Sequence, residues 1–257
     1  MSTEAVNINV VKEKSASNYG LITSIKSCQE PGSSDVFIVS LAVNGKEMSI
    51  LEGVNPKELK AAATIQRTIE NPGGICKYNK DYFIIDSKKK LLYRMIEGGK
   101  KMACELSLVT KGSDMALSLL NTPGSTISDL DIKGDKVWFI CNAGYSSTVC
   151  SLDLKNEKEE VYFNFDNIFL TRGSRPSGIL FFEDRKRIMV MDSFKCILTT
   201  YEIDGKSLYN YKGQFNKDSS IKLGVNTDYV AKGLAIDKST NIWVLESRVE
   251  NKRVVYR

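Results

Sequence analysis

The chain contains no histidine among its 257 residues, and this limits the chemistry open to it. Histidine is the usual general base near neutral pH, the usual activator of a serine or cysteine nucleophile, and the commonest protein ligand of zinc. Catalysis would have to use carboxylates, lysine, tyrosine or cysteine, or a metal held by oxygen ligands. The composition therefore argues against an enzyme.

Oxygen-bearing side chains end four of the predicted strands, at positions that a repeat makes equivalent. They are Asp86, Asn142, Asp192 and Glu246. A ring of such oxygen atoms could bind calcium or a basic partner. The alternative is that an aspartate followed by serine ends a strand and accepts hydrogen bonds from its own turn. We favour the turn and predict no cofactor, with calcium as the one cation that the pattern would suit.

The polar, glycine-rich link Thr171–Gly178 is the best candidate for a contact site. It contains Arg172, Arg175 and Ser177, and Lys232 stands in the next such link. Arginines beside free backbone N–H groups can receive a phosphate or a carboxylate. The link lacks the lysine and the following helix of a nucleotide-binding loop. A plain connecting loop is the alternative interpretation.

Lysines cluster at two predicted turns, Lys88–Lys90 and Lys100–Lys101. A basic edge of this kind could meet an acidic protein or a nucleic acid, although lysines in turns are usually only solvated. The net charge of +5, from 36 basic and 31 acidic residues, is spread along the chain and falls short of a nucleic-acid footprint. We expect a protein partner or a larger assembly rather than nucleic acid.

A repeat of about 50 residues must position these side chains. Turn dipeptides such as Asn44-Gly45, Gly98-Gly99 and Asp204-Gly205 follow apolar segments. A glycine or serine before an apolar strand recurs at Gly20, Gly74, Ser128, Gly178 and Gly233. Each unit predicts four short antiparallel strands, and such units at this period are typical of a β-propeller.

The predicted fold class is therefore all-β, a single-domain β-propeller over residues 1–257 with five blades rather than six. The predicted blades span residues 14–54, 73–110, 127–166, 177–216 and 231–257, and residues 5–12 are expected to complete the last one. The first unit leaves little room for a middle strand, so either that blade is irregular or Val6–Val11 is its innermost strand. Asn55, Pro56 and the alanines after them predict one short helix near residues 56–69.

Three segments resemble β-propellers of the NHL-repeat type and of the gluconolactonase and streptogramin-lyase group. They begin at Tyr82, Arg187 and Gly233, and the likeness covers roughly residues 74–257. The resemblance implies a propeller. Lactonases of that group bind a divalent cation through acidic or amide residues that here read Gly73, Ser177 and Lys232, and streptogramin lyases use a catalytic histidine. The resemblance thus supports the fold and argues against both activities.

We predict a non-enzymatic propeller scaffold that binds another macromolecule through its loop face, including as a structural subunit of a larger, for example viral, assembly. A carboxylate- or metal-dependent hydrolase or lyase is the first alternative, and a small-ligand or glycan binder is the second. The six cysteines show no CxxC spacing, and the chain has neither a signal-like N-terminus nor an apolar run long enough for a membrane span. We expect reduced thiols and an intracellular, cytoplasmic protein that does not bind membranes.

Overall fold

The computed structural model of the chain describes residues 14–15, 21–28, 36–43, 47–53, 60–65, 69, 71–78, 81–95, 102–107, 122–133, 135–143, 146–155, 159–164, 176–182, 187–193, 195, 197–203, 215–223, 230–237, 239–250 and 253–256. These ranges form strands and turns. They include no helix long and apolar enough to cross a membrane.

The described residues form five antiparallel sheets of four strands each. Sheet 1 contains β2 (Leu21–Cys28), β3 (Val36–Val43), β4 (Glu47–Gly53) and β5 (Lys60–Ile65). Sheet 2 contains β6 (Pro72–Tyr78), β7 (Asp81–Asp86), β8 (Leu91–Met95) and β9 (Met102–Ser107). Sheet 3 contains β10 (Thr126–Lys133), β11 (Lys136–Ala143), β12 (Ser146–Asp153) and β13 (Glu159–Asn164). Sheet 4 contains β14 (Pro176–Phe181), β15 (Arg187–Asp192), β16 (Ile197–Ile203) and β17 (Phe215–Lys222). Sheet 5 contains β18 (Val230–Ile236), β19 (Ile242–Glu250), β20 (Arg253–Tyr256) and β1 (Lys14–Ser15).

The first strands of the sheets form a closed ring. Strand β2 contacts β6, β6 contacts β10, β10 contacts β14, β14 contacts β18, and β18 returns to β2. Each sheet thus packs between two neighbours, which is why second strands such as β7 and β15 are almost wholly buried apolar runs. This arrangement is a β-propeller, and the predicted all-β fold class is confirmed.

The N-terminal part of the chain supplies the outer strand of sheet 5. Strand β1 pairs with β20, with Lys14 opposite Tyr256 and Ser15 opposite Val255. The sequence placed this strand at residues 5–12, which lie outside the described residues. The observed pair covers the free edge of β20.

The helix predicted near residues 56–69 is wrong where the structure describes that segment. Lys60–Ile65 forms β5, which pairs with β4 from Met48 opposite Ile65 to Glu52 opposite Lys60. Alanine's helix propensity is worth only a fraction of a kcal/mol per residue, about 0.5. Pairing along the whole edge of β4 outweighs that preference.

Sheet 1 is also more regular than the sequence suggests. Val36–Val43 is its second strand, so the predicted turn Asn44-Gly45 lies between the second and third strands. Residues 44–46 themselves lie outside the described residues. No middle strand is missing, because β4 and β5 supply the third and fourth strands.

Every first strand shifts its register against the second strand near its start. The shifts lie at Ile22/Ser24, Pro72/Ile75, Ile127/Leu130, Pro176/Gly178 and Ala231/Gly233. Each is a β-bulge with one extra residue on the first strand. The residues that follow the bulges contact the next sheet closely: a Cβ on Gly233 would lie 2.7 Å from the backbone nitrogen of Ile25. Glycine at that position therefore lets neighbouring first strands approach each other.

Candidate functional site

A buried lysine crosses the centre of the ring. Lys26 lies on β2 of sheet 1, and its Nζ donates a hydrogen bond of 2.7 Å to Asp129 Oδ2 on β10 of sheet 3. The same ammonium group donates to the backbone carbonyl oxygen of Ile179 on β14 of sheet 4. The Lys26 side chain is 0% exposed and that of Asp129 is 4% exposed. Since sheets 3 and 4 are not neighbours of sheet 1, this ion pair spans the ring.

Two carboxylates beside this lysine bind the inner edge of β14. Asp129 Oδ2 accepts a hydrogen bond of 3.0 Å from the Ile179 N–H, and Asp131 Oδ2 accepts one of 2.8 Å from the Phe181 N–H. The inner edge of a first strand has no neighbouring strand to pair with, so its buried backbone groups need other partners. Asp129, Asp131 and Lys26 supply those partners for β14, and we call these three side chains the central cluster.

Lys26 retains its charge although it is buried. Burial lowers the pKa of Lys26, but the neighbouring Asp129 and Asp131 outweigh that effect and hold the pKa above its ordinary value. Burial raises the pKa of Asp129, against the opposing charge of Lys26. Asp129 Oδ1 is buried, accepts no hydrogen bond from the described residues, and lies where a Cβ on Gly74 would be 2.3 Å away. A lysine that is protonated and sealed from solvent can serve as a cross-link rather than as a base.

The predicted strand-end carboxylates are buried and lie at equivalent register positions. Asp86, Asp192 and Glu246 pair with Pro72, Pro176 and Ala231, the residues before the bulges. Their exposed fractions are 0%, 2% and 9%. Strand β19 continues to Glu250, so Glu246 lies within its strand rather than at the end. We call the end of the ring at which β7 and β15 end and the first strands begin the turn face.

Asp86 and Asp192 bind the turns that follow them. Asp86 Oδ1 accepts hydrogen bonds from the backbone N–H groups of Lys88 (3.2 Å) and Lys89 (3.0 Å). Asp192 Oδ1 accepts one of 3.0 Å from the N–H of Lys195. These contacts match the turn interpretation of the pattern.

Asn142 does not occupy the position equivalent to Asp86. Cys141 pairs with Ile127 before the bulge of β10, as Asp86 pairs with Pro72 before that of β6. Asn142 instead corresponds to Ser87, and its Nδ2 donates a hydrogen bond of 3.2 Å to the Pro176 carbonyl of the next sheet. Burial raises the pKa of the Cys141 thiol to about 11, with Lys90 opposing the shift. In sheet 3, a neutral, buried thiol therefore occupies the position that Asp86, Asp192 and Glu246 occupy in sheets 2, 4 and 5.

The structure describes two of the four remaining predicted site residues, Ser177 and Lys232. Ser177 and Lys232 each occupy the bulge that precedes Gly178 or Gly233, so the backbone brings both to the turn face. Ser177 Oγ is half-buried and donates a hydrogen bond of 3.4 Å to the Met191 carbonyl. Arg172 and Arg175 lie outside the described residues. Within the described ranges, no three cysteine, aspartate or glutamate side chains gather closely enough to hold a metal ion.

Sequence reasoning missed the central cluster. Lys26 follows Ile25 in β2, and Asp129 and Asp131 alternate with leucine and isoleucine in β10. The available signal was charge of opposite sign inside innermost strands, where the equivalent positions of the other strands carry uncharged residues: Ser24, Gly74, Cys76, Gly178, Leu180, Gly233 and Ala235. The recurring landmark had to be placed at Ser24 and Asp129, rather than at Gly20 and Ser128, before those charges aligned.

Neither a protein-family model nor a curated protein matches the chain. Solved structures similar to it are propeller-like. A luciferin-regenerating enzyme is 12% identical with a TM-score of 0.55, over 95% of this chain and 75% of that chain. A chain of a nidogen–laminin complex is 11% identical with a TM-score of 0.52, over 93% and 76%. The Bacteroides ovatus protein Xyloglucan PUL GH43B is 10% identical with a TM-score of 0.53, over 92% of this chain and 52% of that chain. At such identities the likeness shows the fold alone, and the fold serves both an enzyme and a protein in a complex.

Proposed function

We propose that the protein is a non-enzymatic β-propeller that binds another macromolecule through the loops of its turn face. The observation that carries this proposal is the burial of the ionisable groups at the centre and rim of the ring. Lys26 and Asp129 form an ion pair with side chains 0% and 4% exposed. Asp86 and Asp192 are engaged by the backbone of their own turns.

A catalytic acid or base must reach its substrate and titrate near the working pH. Lys26 meets neither condition, because it is sealed from solvent and its pKa is raised, and its buried partners Asp129 and Asp131 are equally out of reach of a substrate. Among the described side chains, Lys88 and Lys89 in the link between β7 and β8 are exposed and available for contact. Loops on a rigid scaffold are where binding residues concentrate.

The resemblance to NHL-type and gluconolactonase-like propellers adds a second argument. Gly73, Ser177 and Lys232 stand where lactonases of that group have cation ligands, and all three precede or occupy equivalent bulges of the ring. Glycine and lysine supply no side-chain oxygen for a cation. A hydrolase or lyase of that type is therefore the less favoured function.

Affinity capture from the native source, with the R172E/R175E variant as comparison, tests the proposal. We expect wild-type protein to retain a specific partner and the variant to lose it, with unchanged melting temperature. Equal capture by both proteins would contradict the assignment of these arginines to the contact. Turnover of a lactone or ester that is abolished by Asp192→Asn would overturn the non-enzymatic function itself.

A further inference from the structure

A turn of three consecutive lysines projects from sheet 2 on the turn face. Ser87–Lys90 joins β7 to β8, and Lys88 and Lys89 are both exposed. Lys90 is half-buried and adopts a φ of 58°, in the left-handed region that glycine or asparagine occupies at lower cost. The chain therefore keeps a lysine where its backbone conformation disfavours one.

Buried groups hold this turn from both sides. The side-chain Oδ1 of Asp86 accepts from the Lys88 and Lys89 N–H groups, and its backbone carbonyl accepts a hydrogen bond of 2.8 Å from the Lys90 N–H. Ser87 is bound to the neighbouring sheet, since its carbonyl accepts a hydrogen bond of 3.0 Å from the Ile127 N–H and its Oγ donates to the Ile127 carbonyl. The three lysine backbones are thus fixed before any partner arrives, which lowers the entropy cost of binding.

The charge of the corresponding links has one sign. In sequence, four of the five links from second to third strands contain lysine as their only charged residue type, and the fifth, Gly144-Tyr145, contains no charge; the lysines are Lys46, Lys88, Lys89, Lys90, Lys195 and Lys252. As a set, the links at the opposite ends of the same strands contain both signs, and some mix them within one link, as in Glu183-Asp184-Arg185-Lys186. Of the six lysines, Lys88–Lys90 form the one run of adjacent charges, and the structure describes all three.

We infer that the Lys88–Lys90 turn is a docking site for an acidic polypeptide segment of a partner protein. The inference rests on the proposed function, because it names the chemistry of the partner that the turn face would bind. Lysines are flexible point charges that suit successive carboxylates along an extended chain. One turn carries too few charges for the phosphate contacts that nucleic-acid binding usually requires, so the site favours a polypeptide over DNA or RNA.

Fluorescence anisotropy with a labelled oligoglutamate peptide tests the inference, using the whole 257-residue chain at low ionic strength. The K88E/K89E variant reverses two charges but keeps the backbone N–H groups that bind Asp86, so the fold should persist and circular dichroism should be unchanged. We expect its affinity to fall by about tenfold or more. The K100E/K101E variant makes the same change in net charge in the link between β8 and β9, and its affinity should stay within about twofold of wild type.

Three results would overturn the inference. One is failure of the wild-type protein to bind the peptide, and another is an equal loss in both variants, which would indicate attraction by net charge alone. The third is tighter binding of a DNA duplex or of phosphatidylserine vesicles than of the peptide. Each of these results leaves the proposed function standing if R172E/R175E still abolishes partner capture, so the two failures can be told apart.

Discussion

Replacing Lys26 with methionine should strongly destabilise the ring, because it leaves Asp129 buried without its cation. Methionine approximates the length and shape of the lysine stem, so the main change is the loss of the ammonium group. Two acceptors then lose their donor: Asp129 Oδ2 at 2.7 Å and the Ile179 carbonyl. Asp129 keeps only the N–H of Ile179 for that oxygen.

The expected magnitude follows from the burial of the pair. Removing one partner of a buried ion pair costs about 3–5 kcal/mol in the free energy of unfolding. For a chain of this size, each kcal/mol lowers the melting temperature by about 2–4 °C. Lys26→Met should therefore lower the melting temperature by about 6–20 °C. Thermal unfolding followed by circular dichroism measures this shift, and urea unfolding measures the free energy.

The pH dependence gives the substitution a distinctive signature. Without Lys26, only the backbone N–H groups of Ile179 and Leu130 oppose the effect of burial on Asp129, so its folded-state pKa rises further above the unfolded value. A carboxyl group with a raised folded-state pKa stabilises the fold less as pH rises from its unfolded pKa toward its folded pKa, so the defect should be smallest near about pH 4 and should grow toward pH 7. Neutralising the carboxylate as well, in K26M/D129N, should restore part of the stability at pH 7.

The matched control is Lys155→Met, which breaks an exposed ion pair. Lys155 and Asp135 are 75% and 42% exposed, so water replaces the lost contact and the melting temperature should not change measurably. The reasoning is refuted if Lys26→Met unfolds at the same temperature as Lys155→Met. It is also refuted if the Lys26→Met defect is independent of pH.

Three further predictions concern the ring itself. Gly233→Ala should lower the free energy of unfolding by about 1–3 kcal/mol in a urea titration, because the Cβ of the new alanine would lie 2.7 Å from the backbone nitrogen of Ile25 on the next sheet. An unchanged urea midpoint would contradict this close packing. Burial raises the pKa of the Cys141 thiol to about 11, so at pH 8 this thiol should react with a maleimide about a hundredfold more slowly in native than in denatured protein. Mass spectrometry can quantify the two rates. Equal rates would show that the thiol is not buried. Deleting residues 1–15 removes β1 and exposes the edge of β20. Size-exclusion chromatography should then show aggregation, or thermal unfolding should show a lower melting temperature. A monomer of unchanged stability would contradict closure by β1.

Local patterns carried most of the fold prediction. The apolar runs that begin at Tyr82, Val137, Ile188 and Ile242 coincide within a residue with β7, β11, β15 and β19. Such runs depend on burial between two neighbouring sheets, and every repeat imposes the same requirement. The failures came where a local signal had two structural uses: Asn44-Gly45 suits any hairpin, and Lys60–Ile65 suits a helix as well as an edge strand.

The candidate site divides in the same way. The hydrogen bonds from Asp86 and Asp192 to their own turns span three residues, so the sequence could suggest them. Asn142 was placed one position too far along β11: Cys141 lies opposite Ile127, the residue before the bulge, as Asp86 lies opposite Pro72. The amide of Asn142 resembles a carboxylate more than the Cys141 thiol does, and only the strand pairing decides which of these two adjacent residues is equivalent.

The sequence by itself determined the all-β class, the repeated four-stranded unit and the turn-forming role of Asp86 and Asp192, because each depends on residues near one another in the chain. Only the tertiary structure decided that Lys26 pairs with Asp129, which is 103 residues away. Closing the ring places two strands from non-adjacent sheets across its centre, and no periodicity in sequence specifies which side chains meet there. The buried charges are stable only because the closed ring supplies each with its partner.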